Sequence, residues 1–450
     1  MLLTGTMKIN QKGHLEIGGC DVVDLASQYG TPLNIMDESL IRTRCRYYLQ
    51  SMEKHYPDFE VIYAGKAFLT KAMCRLLEEE GMSLDVVSGG ELYTALAAEF
   101  PPERIYFHGN NKTVSEIEQA LEAGISRFIV DSFSELDLLD STAQKIGKKA
   151  EIYIRIKPGV VPDTHQYIQT GQVDSKFGFG LSDGQAMEAV EKCLEKKHIS
   201  LRGLHCHIGS QIFQTEPFVQ AALIMMSFLR EIALTKNIQL LELNLGGGLG
   251  IRYLENDQPP SIDSLISSLA EAVKSKASEY NYPLPKLMIE PGRSIVGEAG
   301  TSLYTVGTIK DVPGIRRYVS VDGGMSDNLR PALYKAKYEA LVANKAEEPR
   351  EELVSIAGKA CESGDMLIWD VHLSSLQRGD LLAILSTGAY TYSMANNYNR
   401  IPRPAVVFVR GGNSDLVVKR ESYEDLVMND MIPKRMKKIR DELAQKAVNP

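Results

Sequence analysis

Val61-Ile62-Tyr63-Ala64-Gly65-Lys66-Ala67-Phe68 begins as a short apolar run of strand character and ends on a cationic side chain. An ammonium at the end of a buried strand is costly unless it is paired, neutral or covalently bound. Two readings are open for Lys66. It is a Schiff-base lysine, whose amine attacks a carbonyl, or it is an ordinary lysine snorkelling from a strand end to water. The surrounding chain has to choose between them.

Working outward, the same kind of run recurs. Val61–Gly65 is followed by Ser83–Val87, Arg104–Phe107, Arg127–Val130, Glu151–Ile156, Arg202–His207, Leu241–Leu245 and Leu287–Ile289. Amphipathic stretches such as Lys71–Glu80, Gly90–Phe100 and Glu116–Ala123 lie between them. Eight β/α alternations in about 230 residues fit the arithmetic of a closed (β/α)8 TIM-type barrel. A doubly wound open sheet is the alternative on pattern alone. Upstream, His14–Ile17 and Leu33–Met36 read as short strands, and Asp37 to Tyr56 as a helix capped by Asp37 or Ser39. Downstream of Gly300 the runs Thr301–Lys310, Arg317–Asp322, Leu353–Ala357, Leu381–Ser386, Ala405–Val409 and Leu416–Lys419 alternate with turn residues, as in an antiparallel β domain. The expected division is a barrel over 37–300, a β domain from 1–36 and 301–432, and a basic helix or tail over 433–450. The tail, with Lys434, Arg435, Lys437, Lys438 and Arg440, reads as a solvated terminal helix over Ile432–Lys446.

Barrel enzymes carry their chemistry at the C-terminal ends of the strands. The unusual residues fall there: Lys66, then Asp85 with Ser88-Gly89-Gly90, His108-Gly109-Asn110, Arg155, His205-Cys206-His207-Ile208-Gly209-Ser210, Gly246-Gly247-Gly248 and Glu290-Pro291-Gly292-Arg293. The glycines let backbone N–H groups approach an anion. A Rossmann fingerprint fails because Ile251 stands where a third glycine is required, and no Walker lysine follows. His205 and His207 could begin a metal site, but the last two strands add no histidine, so no metal is expected. Residues two apart share a strand face, which turns both histidines inward and leaves His207 able to stack on an aromatic ligand. A lysine, a phosphate cradle, a stacking histidine and a carboxylate at Glu290 together describe a pyridoxal 5'-phosphate site.

The composition sets outer limits. The chain has 450 residues, 44% of them apolar, and a net charge of −8, which argues against nucleic acid or an acidic membrane as the main partner. No run of about 18 apolar residues and no charged start followed by an apolar core is visible, so neither a membrane span nor a signal peptide is expected. The six cysteines show no CxxC spacing and fit reduced thiols in a cytoplasm.

Tyr63-Ala64-Gly65-Lys66-Ala67, Asp85-Val86-Val87-Ser88-Gly89-Gly90-Glu91-Leu92, His207-Ile208-Gly209-Ser210-Gln211, Gly246-Gly247-Gly248 and Glu290-Pro291-Gly292-Arg293 resemble the alanine-racemase-type-barrel pyridoxal-phosphate decarboxylases of fold type III. Further motifs are Thr164–Gly171, Asp174–Phe179, Asp322–Tyr334, Cys361-Glu362-Ser363-Gly364-Asp365 and Gly388-Ala389-Tyr390. With these, the likeness is greatest to the branch that turns meso-2,6-diaminopimelate into L-lysine and CO2, the last step of lysine biosynthesis. The resemblance implies that Lys66 carries the cofactor, His207 stacks on its ring and Glu290 meets its nitrogen. It implies that Ser210, Gly246, Gly247, Gly248, Gly292 and Arg293 hold the phosphate, that Asp85 supports the lysine, and that Tyr390 reaches cofactor and substrate. Cys361 is implied as the proton donor and Glu362 as a substrate contact, both supplied across a homodimer interface.

The substrate carries an amino-acid group at each end. A distal carboxylate calls for a guanidinium fork, and Arg293 and Arg330, with Tyr334, are the candidates. Glu362 suits the distal ammonium. An ornithine, lysine or arginine decarboxylase on the same scaffold needs no receptor for a distal carboxylate and is the nearest alternative. A non-catalytic regulatory homologue and a cofactor-free aldolase are the others. Lys66 and Cys361 argue against the first of these, and the phosphate cradle with Glu290 argues against the second.

Overall fold

The computed structural model describes residues 2–160 and 175–436. All eight expected runs form strands: β1 Phe59–Ala64, β2 Ser83–Val86, β3 Ile105–Phe107, β4 Arg127–Val130, β5 Ala150–Lys157, β6 Ile199–Cys206, β7 Glu242–Asn244 and β8 Lys286–Ile289. Each pairs in parallel with the next, and β8 returns to β1 through Leu287–Phe59 and Ile289–Val61, which closes the barrel. The open-sheet alternative is thereby excluded.

The pleat explains how one sequence builds both a dry interior and a polar rim. Ile62, Tyr106, Ile129, Tyr153 and Met288 form one buried cluster inside the barrel. Strand side chains alternate between faces, so the residue two positions further along points the same way. Two positions beyond those residues stand Ala64, His108, Asp131, Arg155 and Glu290. On β1 one further step of two reaches Lys66. The intervening residues, such as Val61, Tyr63, Leu84 and Phe107, join the larger core between the strands and their helices.

The helices follow from amphipathic spacing and side-chain caps. Glu38–His55 starts at Asp37, whose Oδ1 accepts the amide of Leu40 at 3.0 Å. Thr70, Ser88, Thr113 and Ser132 cap the helices after β1, β2, β3 and β4 in the same manner. Among the described residues one helix, Glu216–Lys236, is long and apolar enough to cross a membrane by length and composition, a feature not expected from the sequence. Here Phe218, Ala222, Met225, Met226 and Leu229 are buried in the barrel core.

The second sheet is mainly antiparallel. Leu33–Asp37 lies between Gly300–Val312, its antiparallel neighbour, and Ala405–Arg410, its parallel one. Arg316–Val321, Glu352–Ala357, Met366–Leu373, Leu381–Ile384 and Asn413–Val418 extend it. Met366–Leu373 and Ala340–Val342 were not expected. The proposed helix over Ile432–Lys446 lies largely outside the described residues, as do Thr164–Gly171 and Asp174.

Candidate active site

The rim of the barrel and the β domain enclose a cavity of about 400 Å³ lined by Lys66, His207, Ser210, Tyr253, Arg293, Arg330, Tyr334 and Tyr390. It continues inward to a smaller recess bounded by Asp85, Gly247, Gly248, Glu290 and Gly292, again with Lys66 and His207. Thirteen of the fifteen candidate residues therefore converge, counting Gly246, which lies just beneath: its amide donates to Asn244 Oδ1 and its carbonyl accepts from Glu290. The other two, Cys361 and Glu362, do not. They sit in an exposed turn, where the Cys361 amide donates to Asn399 Oδ1 at 2.7 Å, and neither lines the cavity.

The glycines are sterically required. A Cβ on Gly247 would stand 2.0 Å from the Glu290 carbonyl oxygen. Gly248 has φ +130° and a Cβ there would meet the Gly209 carbonyl oxygen at 2.4 Å. These close approaches bring the loop after β7 against the loops after β6 and β8, where backbone donors can surround an anion.

Glu290 is the electrostatic centre. Asn244 Nδ2 donates to its Oε1 at 2.8 Å, and His205 Nε2 lies 3.1 Å from its Oε2. His108 Nε2 is 2.9 Å from Oε1, but off the line of a hydrogen bond, so that contact is electrostatic. Burial alone would raise the Glu290 carboxyl; His108 and His205 outweigh it and hold it well below the usual carboxylate range. A carboxylate offers about four lone-pair sites, so these two hydrogen bonds leave room for a further donor. Burial depresses His205 to about 4 and holds His207 well below the usual imidazole range, with Lys66 and Arg155 adding to the effect on His207. Both rings are therefore neutral at pH 7. Burial raises the Asp85 carboxyl, and one of its oxygens has no hydrogen-bond partner among the described residues. Glu91, beside it, is raised to about 7, chiefly by burial.

His108, His205 and Glu290 place one ligand atom each within 4.8 Å of one another, a grouping that could hold a metal ion geometrically. His207 is not part of that grouping.

The β domain contributes three of the candidate side chains to this lining. Tyr390, at φ +61°, donates its amide to the Ala67 carbonyl at 2.8 Å, and its ring lies 4.8 Å from the Arg293 guanidinium carbon. Arg330 projects from Arg330–Tyr334, a short helix that also carries Tyr334. Arg293 donates from Nε and Nη2 to Ser210 Oγ at 3.2 and 2.9 Å. Tyr253, Tyr338 and Asn244 were not singled out in the sequence. Tyr253 stands in the loop after the glycine run, with no periodic pattern to flag it.

The arrangement fits pyridoxal phosphate. An amine, a flat neutral imidazole, an ionised carboxylate and a glycine cradle line one recess, and Asp85, one of whose oxygens is unpartnered among the described residues, lines it too. Residues 41–297 match the family described as pyridoxal-dependent decarboxylase, pyridoxal binding domain. The chain is 56% identical to the diaminopimelate decarboxylase of Bacillus subtilis over 96% of its length and 98% of the relative's. It is similar to the crystal structure of diaminopimelate decarboxylase from M. jannaschii, with TM-score 0.89, 39% identity and coverage of 96% and 98%. A second structure of that enzyme, in co-complex with L-lysine, gives TM-score 0.88 at 40% identity, with the same coverage.

Proposed function

The chain belongs to the pyridoxal-dependent decarboxylases, and within them to the diaminopimelate decarboxylases; from that premise we propose which of its residues carry the reaction. It decarboxylates meso-2,6-diaminopimelate to L-lysine and CO2 with pyridoxal phosphate as cofactor. Bound pyridoxal phosphate supplies an aldehyde for an amine and a protonated ring that accepts the electron pair freed when the carbon–carbon bond breaks.

Lys66 would hold the cofactor through its amine, at the position that the substrate's amine must reach. His207, neutral and planar, would hold the ring in the recess. Glu290 keeps the ring nitrogen protonated; its charge, sustained by His108, His205 and Asn244, is what a hydrogen-bonded N–H needs opposite it. Gly246, Gly247, Gly248, Ser210, Gly292 and Arg293 surround the phosphate, and Asp85 orients the lysine end. Arg330 receives the distal carboxylate, with Tyr334 and Tyr390 closing the cavity. Cys361 returns a proton to the α-carbon once CO2 has left, and Glu362 meets the distal ammonium.

One observation carries the assignment of roles: Lys66, His207, Glu290 and the glycine cradle share a single recess. Because Cys361 and Glu362 are exposed and outside it, they serve the site of a second copy, and the reading includes a homodimer. Six free cysteines, five of them buried, support a cytoplasmic location. The division at 37 and 300 into barrel and β domain is supported by Asp37, which ends a strand of the second sheet and caps the helix Glu38–His55 that leads into β1.

Subunit mixing tests the shared site. Lys66→Ala and Cys361→Ala should each be inactive alone. Mixed in equal amounts and allowed to exchange, they should recover up to about a quarter of wild-type activity, since about half the dimers then carry one intact site. No recovery after demonstrated exchange would contradict the shared site.

A further inference from the structure

We propose that Tyr253 is a positioning residue that sets substrate specificity, by locking the orientation of Arg330. The inference rests on the reading of Arg330 as receptor for the distal carboxylate. Arg293 and Arg330 are both buried, and among the described residues neither makes an ion pair with a carboxylate. Two guanidiniums lining one cavity repel each other in a poorly solvated space. What stands between them is a single phenol oxygen. Tyr253 Oη accepts a hydrogen bond from Arg293 Nη1 and another, at 2.9 Å, from Arg330 Nη1. Burial would raise this phenol, but the two guanidiniums outweigh it and hold it below the ordinary tyrosine value.

The hydrogen count gives the bridge its consequence. Arg330 Nη1 also donates to Tyr338 Oη at 2.6 Å. A guanidinium nitrogen of that type has two hydrogens, so Tyr253 and Tyr338 consume both. The Arg330 guanidinium carbon also lies 4.9 Å from the centroid of the Tyr253 ring and 5.7 Å from that of Tyr338, the two rings standing nearly perpendicular to each other. What remains unspent on Arg330 within the described residues is the Nε–Nη2 edge, the geometry that binds a carboxylate with two parallel hydrogen bonds.

Tyr253 is itself held. Its amide and that of Leu254 both donate to Asp257 Oδ2 at 2.9 Å, and Gln211 brackets Ile251 through its amide and carbonyl. The loop after β7, which supplies the glycine cradle at one end, thus fixes the arginine fork at the other. The distance between cofactor and distal-carboxylate subsites is set by one rigid loop.

Tyr253→Phe keeps the ring and removes the bridging oxygen. The readout is binding by calorimetry to the cofactor-loaded enzyme of two ligands, L-lysine, which retains the distal carboxylate, and 1,5-diaminopentane, which lacks it. The wild-type preference for L-lysine should fall roughly ten- to hundredfold in the variant, as loss of hydrogen bonds to a charged group implies, with diaminopentane affinity and cofactor content unchanged. General damage to the fold would weaken both ligands together and would overturn the inference. So would an unchanged preference. Arg330→Ala separates the two levels: if it leaves the preference intact, the carboxylate-receptor reading itself fails. If Arg330→Ala abolishes the preference while Tyr253→Phe retains it, only the role of Tyr253 fails. Tyr338→Phe, which releases Arg330 alone, should lower the preference by a smaller factor. Should Tyr253→Phe not fold, an undiminished preference in Tyr338→Phe would count against the locked fork.

Discussion

The amide of Tyr390 donates to the carbonyl of Ala67 at 2.8 Å, so the β domain is tied to the residue next to Lys66. Ser393 Oγ donates to the same carbonyl at 3.0 Å. The tie holds Tyr390 at φ +61°, a left-handed backbone that a tyrosine rarely adopts. Strain of this kind persists where surrounding contacts impose it, and here they place the ring against Arg293. Tyr390→Gly should relieve the backbone, changing stability by no more than about 1 kcal/mol, yet lower kcat/KM at least tenfold. Denaturant unfolding and steady-state kinetics on one preparation check both halves.

Arg330→Ala should raise KM for meso-diaminopimelate far more than it lowers kcat. Loss of a buried, charge-assisted partner costs about 2–5 kcal/mol. Full activity in this variant would contradict the role given to Arg330.

Lys112 is a structural lysine in contrast to Lys66. Its amine donates to the carbonyls of Gly109 and Ile129 at 2.8 and 2.7 Å and to Glu135 Oε1 at 2.6 Å. Every hydrogen of the ammonium is used. Lys112→Met leaves Glu135 buried without its cation, and should destabilise the fold by about 3–5 kcal/mol. Chemical denaturation measures this directly, and a change below about 1 kcal/mol would contradict the account.

Stability should fall in mild acid through His205. The ring is depressed to about 4 in the folded protein, chiefly by burial, against about 6.5 when unfolded. A group with a lowered folded pKa stabilises above its unfolded value and loses that contribution as pH falls. Between pH 7 and 5 the loss is on the order of 2 kcal/mol. Glu290 opposes the depression, and His108 and Arg155 reinforce it. His205→Asn should be less stable overall, with a shallower decline from pH 7 to 5 in urea midpoints. An equal slope in both proteins would exclude His205 as the source.

The barrel was legible because its strands are short apolar runs whose ends change character abruptly. Tyr153 to Arg155 and Met288 to Glu290 are single steps of two along an inward face, and the pleat carries both residues to predictable depths. Met366–Leu373 was not legible, since Trp369, Asp370 and His372 are exposed and interrupt the apolar pattern. Tyr253 was hidden for another reason. Its function depends on two guanidiniums from sequence positions 40 and 77 residues away, and nothing local to Gly250-Ile251-Arg252-Tyr253 foretells them. His108 and Asn244 could be placed at strand ends, but their convergence on Glu290 needed the closed barrel.

The most direct measurement is CO2 release by the cofactor-loaded protein, with meso-diaminopimelate, ornithine, lysine and arginine compared at equal concentration. The account predicts turnover of meso-diaminopimelate to L-lysine, little or none with the other three, and complete loss in Lys66→Ala. Preferred release from any of the three basic amino acids, or turnover surviving in Lys66→Ala, would contradict it.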